Sequence, residues 1–341
     1  MDTAGLKQDC MFRVGPLVNI PKLLVKLGCE PDPLIERAGF RREDFEDTEN
    51  RIPYVSGSRL LADCVTATDC DHFGLLLGQM AGPSYLGVAG FLASTAATVF
   101  QALQALVENL DLHDEGGACS LQIEDEYCQL SFSIHEPGVS AIAQIHDMSV
   151  VIMCEIMRAW CGREWNASQV HLLRKKPRDL TPHIRYFRTA VLFDAQYCGI
   201  VFPNHNLQLK PPAADEFLHQ HLEQEACLLH QMQHQEIMEM LPVVLQRCLL
   251  QDQCKARDIA DAFGIQERTL HRRLKSAGTS FRHELDSVRQ SLSIQLLNVS
   301  DLPVYDIATS LGYADSSGFI RAFRRWTGSS PAIWRRQNQK R

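Results

Sequence analysis

The chain lacks the short signatures that most enzymes carry. It has no Gly-x-Ser-x-Gly elbow, no His-Glu-x-x-His pair and no phosphate-binding glycine loop, so nucleophilic hydrolases, zinc peptidases and P-loop enzymes are not indicated. Its 12 cysteines contain no Cys-x-x-Cys pair. They are scattered through apolar segments, where cysteine behaves as a small hydrophobe, and a reducing compartment is expected. No basic segment followed by an apolar one opens the chain, so no signal peptide is expected. A long uninterrupted apolar run is missing as well. The most apolar stretch, 139–162, is broken by Gln144, His146, Asp147 and Glu155. It predicts a buried helix and no membrane span.

What is present divides into two parts of opposite charge. With 341 residues, the chain is too long for one ordinary core. Residues 241–341 hold 16 Lys+Arg against 9 Asp+Glu, a charge of +7, while residues 1–240 hold 18 against 32, a charge of −14. A basic tail on an acidic body points to nucleic acid for the tail alone.

Residues 1–212 predict a helix-rich α+β domain with a small antiparallel sheet. Helical periodicity runs over 19–28, 56–69, 97–110 and 139–161. Strand-like alternation occupies 119–124 and 127–134, with Glu124-Asp125-Glu126 as the hairpin turn between them, and 170–173 and 198–202 are further strands. Pro211-Pro212 closes this domain. Residues 213–240 predict a polar linker or dimerisation helix. Residues 241–338 predict an all-α domain of two helix-turn-helix units joined by a long helix.

The two units announce themselves as a repeat. Ile259-Ala260-Asp261-Ala262-Phe263-Gly264 recurs 48 positions later as Ile307-Ala308-Thr309-Ser310-Leu311-Gly312. The units cover about 256–277 and 304–327. Ala260 and Ala308 are small enough to let a second helix cross closely. Gly264 and Gly312 supply the turn that glycine makes without strain. Ile265 and Tyr313 fill the angle that follows. In the first unit Leu270 and Leu274 face inward; in the second, Phe319 and Phe323 do. Between them, Phe281, Leu285, Val288, Leu292, Leu296 and Leu297 form the apolar stripe of a helix from about 280 to 297. The expected span, ~27 Å, approaches the ~34 Å between successive major-groove faces. Base-reading candidates are Gln266, Arg268, Thr269, His271 and Arg272 in the first unit and Ser316, Ser317 and Arg321 in the second. Phosphate candidates are Arg273, Lys275, Arg324, Arg325, Arg335 and Arg336. Gly318, inside the second recognition helix, costs about 1 kcal/mol relative to Ala.

Residues 241–338 resemble the DNA-binding domain of the AraC/XylS family of bacterial regulators. The resemblance rests on Ile307-Ala308, Gly312-Tyr313, Ser317, Phe319-Ile320-Arg321-Ala322-Phe323, Arg324 and Gly328-Ser329-Ser330-Pro331. Ser293 stands where the family usually has alanine. The N-terminal part resembles the effector-sensing, "arabinose-binding" domain of one branch of that family, through 18–28 with 34–39, Tyr85-Leu86-Gly87, Phe193-Asp194-Ala195 and Val201-Phe202-Pro203. The resemblance implies a cytoplasmic bacterial transcription factor, associated with the nucleoid through double-stranded promoter DNA. It implies a small-molecule effector, a homodimer and RNA polymerase as partners, with no enzymatic activity, no cofactor and no membrane. The effector residues stay unassigned; Tyr85, His146, Arg158, Trp160 and Trp165 are the types that line pockets. An alternative reading takes Cys227, His230 and His234, on one helical face, as a copper or zinc site of a metal- or redox-responsive regulator. Another is an enzyme domain fused to a DNA-binding tail.

Overall fold

The structure is a computed structural model that describes residues 10–338 apart from 250–253, 264, 266 and 301, with the side chains of 233–236 and 299 also left aside. These residues form two compact units, a body over 10–230 and a tail from 231 onward.

The body opens with β1 (Met11–Arg13), α1 (Ile20–Lys26), α2 (Asp32–Arg37) and β2 (Arg51–Pro53). Helices α3 (Tyr54–Thr68), α4 (Phe73–Gly78), α5 (Val88–Thr95) and α6 (Val99–Asn109) follow. Then come the hairpin β3 (Gly117–Ile123) and β4 (Tyr127–Ile134), α7 (Ile142–Cys161), β5 (Gln169–His171), α8 (Thr181–Phe187), β6 (Ala190–Leu192) and β7 (Cys198–Pro203). The α+β reading holds, and the expected hairpin is present: Glu124 N–H donates to the Tyr127 carbonyl at 2.9 Å, and Leu121 faces Leu130.

The sheets differ from expectation in one respect. A two-stranded antiparallel ribbon joins β1 to β2, and the larger sheet has five strands in the order β3-β4-β7-β5-β6. Its last pair, β5 and β6, is parallel, so the larger sheet is mixed. The crossover through α8 permits this, since parallel neighbours need a helix-sized connection.

Helix α7 is the buried helix that 139–162 predicted. Asp147, fully buried, accepts from Arg174 Nη1 at 2.6 Å and lies 3.1 Å from His183 Nε2. A buried charge thereby gains its partners. Against α7 packs α4, with almost no side chain between them. A Cβ built on Gly74 would lie 2.1 Å from the Gln144 carbonyl oxygen, and one on Gly78 would lie 2.8 Å from that of Met148. Four residues apart, both glycines lie on one helical face. Gln144 Oε1 in turn accepts from the Gly74 N–H at 2.8 Å.

Helix α9 (Glu216–Leu249) runs without interruption past the expected boundary at 240. Its early turns belong to the body: Ala226 packs with Leu92 and Leu112, and His219 Nδ1 meets Thr95 Oγ1 and the Leu92 carbonyl. Its last turns belong to the tail, where Leu241, Leu245 and Leu249 join Ile259, Leu270 and Leu274 in one core. Among the described residues, no helix is long and apolar enough to cross a membrane.

Candidate nucleic-acid interface

The tail continues with α10 (Ala256–Ala262), α11 (Glu267–Ser276), α12 (Phe281–Val299), α13 (Val304–Ser310), α14 (Ser316–Thr327) and α15 (Pro331–Asn338). The repeat in the sequence becomes a repeat in hydrogen bonding. The Ile265 N–H donates to the Ala260 carbonyl at 2.9 Å, and the Tyr313 N–H donates to the Ala308 carbonyl at 3.0 Å. Both are the six-to-one bond that closes a helix C-terminus and reverses the chain. Gly312 has φ +72° at the second turn; Gly264, its counterpart, lies outside the described residues.

Helix α11 buries Leu270 and Leu274, and the same face carries Arg273, which is only 5% exposed. Positions three and four apart share a face, so Arg273 is withdrawn from phosphate and leaves the candidate set. Arg268, His271, Arg272 and Lys275 are exposed, and Thr269 is half-buried. His271 Nε2 lies 3.5 Å from Glu267 Oε1, one turn earlier. Gln266 lies outside the described residues.

Helix α14 starts with Asp315, whose Oδ1 accepts from the Gly318 N–H at 2.7 Å, an ordinary N-cap. Phe319 and Phe323 are fully buried. Around them the rings of Tyr313, Phe319, Phe323 and Trp334 follow one another at 5.7, 5.7 and 6.0 Å. Ser317, Arg321 and Arg324 are exposed and Ser316 is half-buried. Arg325 pairs with Asp286 at 2.7 Å. Arg335 is also engaged, donating to the Leu302 carbonyl at 2.6 Å, and ties α15 back to the loop before α13. Arg336 is exposed.

The long helix α12 serves both modules. Phe281, Leu285 and Val288 pack in the first core, Ile294, Leu296 and Leu297 in the second, and Leu292 in both. Its 19 residues extend about 28 Å. Ser293 is fully buried and satisfies its hydroxyl on the Gln290 carbonyl at 2.7 Å, which is how a serine fits a site suited to alanine. Arg289 escaped the sequence reading. Its Nε donates to the Leu311 carbonyl at 2.9 Å and its Nη2 to Gly312 at 3.3 Å. The guanidinium lies 4.6 Å from the Tyr313 ring centroid. It thus braces the second turn from the connecting helix.

Of the three suggested metal ligands, two have side chains among the described residues. His230 turns inward, with Nε2 3.1 Å from Asn109 Oδ1, whereas Cys227 is exposed; the His234 side chain lies outside the described residues. Among the described residues, no three His, Cys, Asp or Glu side chains gather as a metal site. Burial pushes the thiols of Cys64 and Cys154 up to about 12 and that of Cys161 up to about 11. Such thiols stay protonated and pack as apolar groups.

The body contains an apolar cavity of about 80 Å³ between α3, α6, α7 and the hairpin. None of Tyr85, His146, Arg158, Trp160 and Trp165 lines it. Three of those side chains serve the fold: Trp160 Nε1 donates to Ser94 Oγ at 3.2 Å, Trp165 Nε1 to Asn206 Oδ1 at 3.1 Å, and Arg158 holds Glu155 at 2.8 Å.

Comparison with known families places this geometry. Residues 28–211 match the family described as the arabinose-binding domain of AraC transcription regulators, N-terminal, and residues 259–337 match a helix-turn-helix domain. The chain belongs to the AraC family of transcription regulators. AraC-type relatives extend over most of its length. The ornithine utilization regulator of Pseudomonas aeruginosa is 25% identical over 316 residues, 92% of this chain and 93% of that protein. The transcriptional regulator VirS of Mycobacterium tuberculosis is 25% identical over 335 residues, 95% of this chain and 96% of that one. Among solved structures, the transcriptional regulator CdpR of Pseudomonas aeruginosa is 23% identical, covering 90% of this chain and 96% of its own, with a TM-score of 0.43. This AraC-family chain therefore pairs a ligand-domain body with a DNA-binding tail, and its named relatives are regulators of transcription.

Proposed function

We propose that this AraC-family regulator docks α11 and α14 into successive major-groove faces of a promoter, and that a small molecule held in the body sets how often the tail adopts a docking state. The assignment divides the chain into a sensing part over 1–212, a connecting segment over 213–240 and a reading part over 241–338. The observation that carries it is the duplicated module. Two turns with the same six-to-one bond sit on one helix that packs in both cores, and each second helix turns arginine outward. Arg268 and Arg272 on α11, and Arg321 on α14, have the reach to read guanine edges. Lys275, Arg324 and Arg336 neutralise phosphate. Phe217 and Leu228, 85% and 60% exposed on α9, are three helical turns apart on one side and support a homodimer. RNA polymerase is the expected partner at the promoter, and the bacterial cytoplasm the expected setting.

An Arg272→Ala variant tests the reading. Loss of one bidentate base contact costs about 1–3 kcal/mol of discrimination, so affinity for the promoter falls roughly 5- to 150-fold while circular dichroism stays unchanged. Wild-type affinity also drops steeply between 50 and 200 mM salt as counterions are released. Unchanged promoter affinity in Arg272→Ala, or a flat salt response, removes the assigned interface.

A further inference from the structure

The cavity in the body has a chemistry that its lining makes explicit. Most of its wall is apolar: Leu61 on α3, Leu106 on α6, and Ile145, Met148, Ile152 and Ile156 on α7. Besides Ser58 and Ser149, the wall has three polar residues: Tyr54, His113 and Asp114. All three are at least nine-tenths buried. Asp114 Oδ1 accepts from the Gly116 N–H at 2.9 Å. His113 Nδ1 has no hydrogen-bond partner among the described residues, although it is shut away from water. A buried ring nitrogen left without a partner costs free energy, and His113 is one of the residues that line the cavity.

We propose that this cavity is the effector site, and that it takes a compact uncharged molecule with an apolar body and one hydroxyl or carbonyl directed at His113. The inference rests on the reading of the chain as an effector-controlled regulator and names its ligand class. Charge complementarity points the same way. Burial holds the His113 ring neutral, its affinity for a proton lowered to about 3, with Arg13 and Arg51 adding to the effect. Those two arginines do not line the cavity and are already paired, with Glu49 and Glu115. A carboxylate or phosphate would therefore lose its hydration and find no cation. A polyol would bury hydroxyls against leucine and isoleucine. Met148 and Met153, unbranched and adaptable, line the wall where a guest the size of a benzene ring must make room.

The test uses the full-length protein and defined probes: phenol, benzene, benzoate and L-arabinose, each titrated by calorimetry without DNA. The expected result is one phenol bound per chain, benzene bound more weakly, and no heat from benzoate or arabinose. Ser149→Leu, which adds apolar volume to the wall, should weaken phenol at least tenfold. His113→Phe should weaken phenol about tenfold and leave benzene within twofold, a split that a merely misfolded variant would not produce. Binding of benzoate or arabinose as tightly as phenol, no binding of phenol, or phenol affinity unchanged in both variants overturns the assignment. Because the titration contains no DNA, its failure leaves the promoter measurements on Arg272→Ala to judge the regulator reading separately.

Discussion

Two glycines in the second module differ in the reason they are there, and exchanging each for alanine should move stability in opposite directions. Gly312 sits at φ +72°, where an L side chain costs about 1–2 kcal/mol. A Cβ there would also come within 3.3 Å of Arg289 Nη2, pressing on the guanidinium that braces the turn. Gly318 is the third residue of α14, and a Cβ there would have Tyr313 at 3.6 Å and Asp315 at 3.7 Å, ordinary contact distances. Alanine at that position reduces the freedom of the unfolded chain and should add about 0.5–1 kcal/mol. The expected separation between the two variants is therefore about 1.5–3 kcal/mol. Amide hydrogen exchange, followed by mass spectrometry on peptides from α13 and α14, reads this locally. At tenfold per 1.4 kcal/mol, exchange in Gly318→Ala should slow roughly two- to fivefold and in Gly312→Ala should quicken five- to thirtyfold. Faster exchange in Gly318→Ala, or no change in Gly312→Ala, would show that the steric reasoning is wrong.

Arg289→Met should open the second turn: it removes two hydrogen bonds to carbonyls and the contact with Tyr313, at a cost of about 1–3 kcal/mol. Local exchange in α13 should quicken while peptides from α10 and α11 stay at the wild-type rate; equal loosening of both modules would contradict the bracing role. Two polar residues of the cavity wall titrate in opposed senses. Asp114 is raised to about 7 by burial, so the folded chain holds a proton there that the unfolded chain has released, and this contribution strengthens the fold as pH falls from about 7 towards 4. His113, lowered to about 3 by burial, stays neutral when folded, and its contribution is lost as pH falls from about 6.5 towards 3. Asp114→Asn removes the first effect, so the variant should lose more stability than wild type between pH 6.5 and 4 in urea melts; a parallel pH dependence would reject the assignment.

Legibility in the sequence followed the length scale of the signal. The tail was readable because its repeat is written twice at a fixed spacing, and because Leu270, Leu274, Phe319 and Phe323 obey helical periodicity. That same periodicity already placed Arg273 on the inner face, three residues after Leu270, and the burial of Arg273 is its consequence. The hairpin of β3 and β4 showed through clean alternation. Short elements did not show: α4, α8, β1, β2 and β6 have three to seven residues each, too few for a period to emerge. Helix α4 was further disguised, because Gly74 and Gly78 read as turn residues yet serve to bring two backbones together. Arg289 was invisible because its partners lie 22 and 23 positions away. The cavity was invisible for the same reason on a larger scale, since its lining is collected from Phe12 to Ile156.

The seam between α4 and α7 carries a consequence for how the body can respond to occupancy. Where two main chains meet across glycines, with Val151 packed on Gly78, neither has much slack to surrender. Helix α7 offers Met148 both to that seam and to the cavity, so it acts as an anvil. Adjustment to an oversized guest therefore falls on side chains, on Met148 and Met153 of α7 and on Leu61 of α3 and Leu106 of α6 across from them.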